Sequence, residues 1–211
     1  MEQEETMTQY RTIMTGGMGE IIEKKSRFIA TLEPIASEQE AKQVISAVKK
    51  TYRNATHYCY AWVVGEENGC SDDGEPSGTA GRPILNVLQK EGLSHVIIVV
   101  TRYFGGTLLG TGGLIRAYTE AAKNGLLTVD IVSMIYGSQI CITMEYNDAG
   151  KIQHLLETRG FTELEITYTD KVQIQLKLAQ NMILQLQQDI SEITAARAIT
   201  EVTGSLFFVD K

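Results

Sequence analysis

Polar and apolar positions along the chain change period several times, and each change marks an element. Over HYCYAWVV (His57–Val64) the alternation is twofold, as in a strand. His57, Cys59, Ala61 and Val63 share one face; Tyr58, Tyr60, Trp62 and Val64 share the other. Residues 94–101 (SHVIIVVT) form a near-continuous β-branched run, which predicts a central strand. Residues 20–32 mix charge with Ile and Phe and read as one early strand. Ser37 followed by Glu40 makes a capping box, and Val44, Ile45 and Val48 follow at helical spacing. A short helix is expected from Pro83 to Gly92, and another from Gly113, with Leu114, Ala117, Tyr118 and Ala121 on one side, to Asn124-Gly125. Residues 65–83, rich in glycine, proline and acids, read as one long loop, and residues 127–132 as a strand.

From Ser138 the pattern restarts. Residues 140–144 predict a strand. Asn147 or Asp148 caps a helix carrying Ile152, Leu155 and Leu156, which Gly160 stops. Residues 161–169 and 172–178 alternate like a hairpin, 181–196 are helical and 198–209 form a last strand. The order β-α-β-β-α-β is that of a ferredoxin-like unit. The fold class is therefore α+β, with an N-terminal domain over 1–133 and a C-terminal ferredoxin-like domain over 134–211.

Composition narrows the function classes. The 211 residues, 43% hydrophobic and 21% charged, suit a soluble globular protein. No apolar run spans a membrane and the acidic start does not resemble a signal peptide, so a cytoplasmic location is expected. Three cysteines without CxxC spacing predict neither a disulfide framework nor a zinc site. The net charge of −7 argues against indiscriminate nucleic-acid binding, so any such contact needs a local basic patch.

The stretch VVTRYFGGTLLGTGGLIRAY (residues 99–118) invites a nucleotide reading and fails both standard tests. Gly105 and Gly110 have P-loop spacing, but Thr111 stands where the motif needs lysine. Gly110 and Gly112 begin a dinucleotide fingerprint, but Ile115 fills its third glycine position. Two readings stay open. Gly105, Gly106, Gly112 and Gly113 supply turns and close packing, or they form an anion-binding loop at a helix N-terminus flanked by Arg102 and Arg116, with Arg82 in reach. Asp72, Asp73 and Glu75 lack EF-hand spacing, and neither a metal nor a cofactor is expected. His57 with Asp72 or Asp73 is a candidate acid–base pair, provided the three share a cleft.

Four blocks together resemble the IMPACT/YigZ family: KKSRFIA at 24–30, ATHYCYAW at 55–62, DDGEPSGTAGRPIL at 72–85 and the glycine stretch at 99–118, with its RYFGGxxLG core intact. The resemblance implies an N-terminal two-layer α/β domain similar to domain IV of elongation factor G, and a smaller ferredoxin-like C-terminal domain. Eukaryotic relatives are translation regulators. For bacterial members the resemblance implies a role near nucleic acid or the ribosome and no established reaction. The expectation is a non-enzymatic protein that contacts RNA, the ribosome or a translation factor through Arg82, Arg102, Gly105, Gly106, Gly112, Gly113 and Arg116. The alternative is an enzyme on a small anionic substrate using His57 and Asp72 or Asp73.

Overall fold

The computed structural model describes residues 8–210, so the acidic residues 1–7 lie outside it. The chain divides into two compact units, Tyr10–Ser133 and Met134–Lys211, the latter joined by Thr8 and Gln9. Both are mixed α and β.

The first unit opens with strand β1 (Gln9–Ile13), which the polar pattern did not announce. β2 (Gly17–Glu23) and β3 (Ser26–Pro34) follow as a hairpin. The single strand expected over 20–32 is thus two. Lys24 and Lys25 both take positive φ (45° and 68°) to turn the chain, with no glycine or asparagine to signal it. Helix α1 (Glu38–Thr51) starts where the capping box predicts. The Ser37 hydroxyl accepts from Glu40 N–H at 3.2 Å, while the Glu40 carboxylate reaches back to Ala36 N–H at 2.7 Å.

β4 (His57–Val64) pairs with β5 (Glu67–Ser71) across a turn at Gly65. The long loop expected from 65 to 83 is therefore shortened at both ends: it holds an edge strand, and helix α2 (Gly81–Lys90) starts inside it. β6 (Val96–Tyr103) is central, and helix α3 (Gly110–Leu126) runs through Gly125, where the sequence suggested a stop. Gly125 serves close packing rather than a stop: a side chain there would meet Leu32 Cδ1 at 2.4 Å, so the glycine lets α3 lie close on the sheet.

The antiparallel sheet runs β2-β3-β6-β4-β5. Period two decides its packing. Val96, Ile98 and Val100 of β6 join Ala61, Leu85, Leu88, Leu114 and Tyr118 beneath α2 and α3. Ile97 and Val99 face the other way, onto Ala41 and Val48 of α1. The sheet with α2 and α3 gives the two expected layers, and α1 adds a third on the opposite face.

The strands expected at 127–132 and 140–144 are one, β7 (Ile131–Met144). β1 lies beside it: Asp130 accepts from Met14 N–H in the first unit, and Thr8 from Tyr136 N–H in the second. Then come α4 (Tyr146–Thr158), β8 (Glu165–Tyr168), β9 (Val172–Ala179), α5 (Ile183–Thr194) and β10 (Ile199–Val209). The antiparallel order β10-β7-β9-β8 is the ferredoxin-like arrangement. Its core sets Ile140, Ile142, Ile174 and Leu176 against Ile152, Leu156, Leu186 and Ile190 of the helices.

Candidate functional site

One end of the first unit's sheet brings His57, Asp72, Asp73 and Arg102 together. There β3 and β4 begin, and β5 and β6 end. The register pairs His57 with Arg102 and Phe28 with Arg102, so β4, β6 and β3 carry these three side by side.

Arg102 is not at the surface. It continues the inward face of Val96, Ile98 and Val100 and is 5% exposed. Its Nη1 donates to Glu75 Oε1 at 2.5 Å and its Nη2 approaches Ser26 Oγ at 3.5 Å. The Tyr118 hydroxyl, from α3, donates to the same Glu75 oxygen at 2.8 Å. The guanidinium carbon lies over two rings, 5.3 Å from the centroid of Phe28 and 5.6 Å from that of Phe104. Nε has no partner among the described residues. A buried arginine facing a buried glutamate is already neutralised, because neither charge tolerates low dielectric alone. The expectation that Arg102 itself meets an incoming phosphate is corrected: it ties the Asp72–Glu75 segment to β6.

The two aspartates are likewise used up. The Asp72 carboxylate accepts from Gly78, Ala80 and Gly81 N–H at 2.8, 2.9 and 2.8 Å, which closes the loop and caps α2. Burial alone raises its pKa, but these three donors outweigh it and hold the carboxyl below its ordinary value. Asp73 accepts from Tyr58 N–H at 2.7 Å and meets Lys49 Nζ at 3.5 Å. Neither faces the His57 ring with its carboxylate. His57 Nδ1 lies 2.8 Å from the Asp73 carbonyl, which can only accept, so Nδ1 carries a proton. Nε2 is 3.8 Å from Glu75 Oε1, an oxygen already filled by Arg102 and Tyr118. The acid–base pairing of His57 with Asp72 or Asp73 is therefore corrected: the carboxylate opposite His57 is Glu75. Cys59 closes the cluster, 3.2 Å from the Tyr118 hydroxyl and 3.0 Å from the Asp72 carbonyl. Burial pushes its thiol up to about 12 and raises the Tyr118 phenol as well, so both stay neutral at pH 7.

The glycine loop sits outside this cluster. Phe104 N–H donates to Thr56 Oγ1 at 3.1 Å and Gly105 N–H to Ser26 Oγ at 3.1 Å. A Cβ on Gly105 would meet the Lys25 backbone at 2.1 Å, so this glycine is there for close approach. Gly106 and Gly110 take φ of +83° and +70°, and added side chains there would meet open space. They make the turns that lead into α3. No side chain caps α3 at its start, where Gly112 is exposed and Gly113 half-buried.

Exposed cations lie on the elements that adjoin this loop. Lys24 and Lys25 form the β2–β3 turn against Gly105, and Arg53 lies beside Tyr103, whose hydroxyl donates to the Arg53 carbonyl at 3.3 Å. Arg116 is one turn into α3, and Arg82 opens α2 at the same end of the sheet. Among the described residues, Lys24, Lys25, Arg53, Arg82 and Arg116 have no ion-pair partner. Phe104 (46% exposed), Leu108 (84%) and Ile115 (42%) add exposed apolar side chains to the glycine loop and the start of α3. Glu75, Tyr118 and Phe104 were missed as site residues. Strict alternation along β6 was the available signal, since it forces Arg102 inward and hence requires a buried acid.

The comparisons agree with this architecture. The Impact N-terminal domain family matches residues 24–126, and a domain family of unknown function, DUF1949, matches 142–197. The chain is 38% identical to the IMPACT family member YvyE of Bacillus subtilis over 205 residues, 96% of this chain and 94% of that protein. It is 38% identical to the IMPACT family member YigZ of Escherichia coli over 138 residues, 63% of this chain and 68% of that one. A crystal structure of a hypothetical protein, 28% identical, superposes with a TM-score of 0.62 over 94% of this chain and 99% of its own. Two family domains in series, and 38% identity to YvyE over nearly the whole of both chains, establish that this chain belongs to the IMPACT family.

Proposed function

We propose that the chain is a binding protein of the translation apparatus that grips RNA phosphates with the basic end of its N-terminal sheet. The observation that carries the reading is the group of exposed cations, Lys24, Lys25, Arg53, Arg82 and Arg116, without ion-pair partners among the described residues, on elements that adjoin the glycine loop and the uncapped start of α3. On a chain of net charge −7 a focused basic patch is the form that nucleic-acid contact must take. Helix N–H groups and their dipole add to the same field. The translational setting follows from the role the IMPACT family implies, which fits phosphate contact better than small-molecule turnover. The carboxylates near His57 are all occupied by donors, and that favours binding over acid–base work.

The test is RNA affinity measured against salt. Binding should weaken linearly on a log–log plot, and Lys24→Gln/Lys25→Gln should lower the slope by roughly 1 to 2. No binding at low salt, or a slope unmoved by the double substitution, would contradict the reading.

A further inference from the structure

Phe104 is the residue that the phosphate contacts leave unexplained. It follows a buried strand, yet its ring is nearly half exposed in the middle of the basic patch. Its backbone is fixed from both sides, by Thr56 through its own N–H and by Ser26 through the next one. The buried Arg102 guanidinium lies over the Phe104 ring and also over the buried ring of Phe28, itself edge-on to Tyr118 at 5.2 Å. Arg102 thus links the exposed Phe104 to the core. Glu75 holds Arg102 in place.

We infer that the exposed face of Phe104 is a stacking platform for one unpaired base of an RNA strand, whose flanking phosphates lie on Lys24, Lys25 and Arg53. The inference rests on the RNA reading above and adds what kind of RNA the surface takes. Three observations point to a base. A flat aromatic face is rigidly presented, so little ordering entropy is lost on stacking. The guanidinium behind it occupies the inner face, which leaves the outer face to a ligand. Exposed cations stand on the adjoining turn, whose Lys25 backbone abuts Gly105, and at Arg53 beside Tyr103, so a ligand that covers the ring and carries negative charge close by, as a nucleotide does, is favoured. Bases in a duplex are already stacked on each other, so the platform favours single strands, loops and ends. An apolar protein segment would have no use for the three flanking cations.

The test uses the full chain with a short single-stranded RNA, the same sequence as a duplex, and inorganic polyphosphate as a backbone-only probe. Single strands should bind more tightly than duplex. Phe104→Ala should weaken single-strand binding about 10-fold or more while leaving polyphosphate binding unchanged. Phe104→Trp should keep the affinity, and its fluorescence should be quenched on single-strand binding but not by polyphosphate. Should Phe104→Ala bind single strands like wild type, or the tryptophan report no quenching while RNA is bound, the platform is refuted and the phosphate reading stands. Absence of binding to all three probes would refute the phosphate reading as well. Loss in Phe104→Ala confined to a protein ligand would make this a protein-docking patch and overturn the inference.

Discussion

Two glycine-rich loops meet at one end of the same sheet, and they have opposite chemistry. The segment 72–81 is closed. Every carboxylate in it accepts donors from the protein itself: Asp72 from three backbone N–H groups, Asp73 from Tyr58, Glu75 from Arg102 and Tyr118. The segment 104–113 is open. It presents an exposed phenylalanine and an uncapped helix start, and exposed cations without ion-pair partners among the described residues lie on the neighbouring β2–β3 turn and on α3. The difference teaches that density of chemical groups does not locate a binding surface. What matters is which groups remain unsatisfied once the fold is complete.

The contrast breaks most sharply at Glu75. Glu75→Ala should cost about 3–5 kcal/mol in urea unfolding, because it strands the Arg102 charge in the core. Glu75→Leu/Arg102→Met should recover most of that loss, since apolar replacement of a buried pair is often neutral. A mild effect of Glu75→Ala would mean that Arg102 escapes to solvent and that the closed loop is not closed.

Within the open loop, Gly105 and Gly106 differ in what a side chain would meet. Gly105→Ala drives a methyl group into the Lys25 backbone and should destabilise by about 1–3 kcal/mol. Gly106→Ala has room but takes φ of +83°, so it should cost about 1 kcal/mol. Equal costs would show that the loop shifts to absorb the clash.

Asp72→Asn should cost about 1 kcal/mol at neutral pH, by weakening charge-assisted bonds to the α2 cap. The sign with pH follows from its lowered pKa in the folded state. The carboxylate's stabilisation is complete above the ordinary aspartate value of about 4 and is lost as pH falls through the lower folded value. The variant's stability should therefore fall less between about pH 5 and 2 than that of wild type, as urea midpoints across that range would record.

Much of this was legible in the sequence. The ferredoxin-like order, the capping box at Ser37 and the central position of β6 follow from local period and propensity. The β2–β3 turn was not, because Lys24 and Lys25 hold positive φ by hairpin pairing rather than by residue preference. Gly125 read as a stop, yet it packs under Leu32, a tertiary contact that no local pattern carries. For the site, the sequence singled out Arg82 and Arg116 as candidate anion contacts, and both are exposed. Arg102, Asp72 and Asp73 were assigned outward roles because side-chain chemistry was weighed without the strand and loop geometry that turns each group inward.

In the proposed RNA contact, exposed cations, and not the buried arginine, meet the phosphates. Salt dependence of RNA affinity tests it when Lys24→Gln/Lys25→Gln is compared with Glu75→Leu/Arg102→Met. The account predicts a slope lowered by roughly 1 to 2 in the lysine variant and unchanged in the buried-pair variant. A slope lowered only when Arg102 is replaced would contradict it.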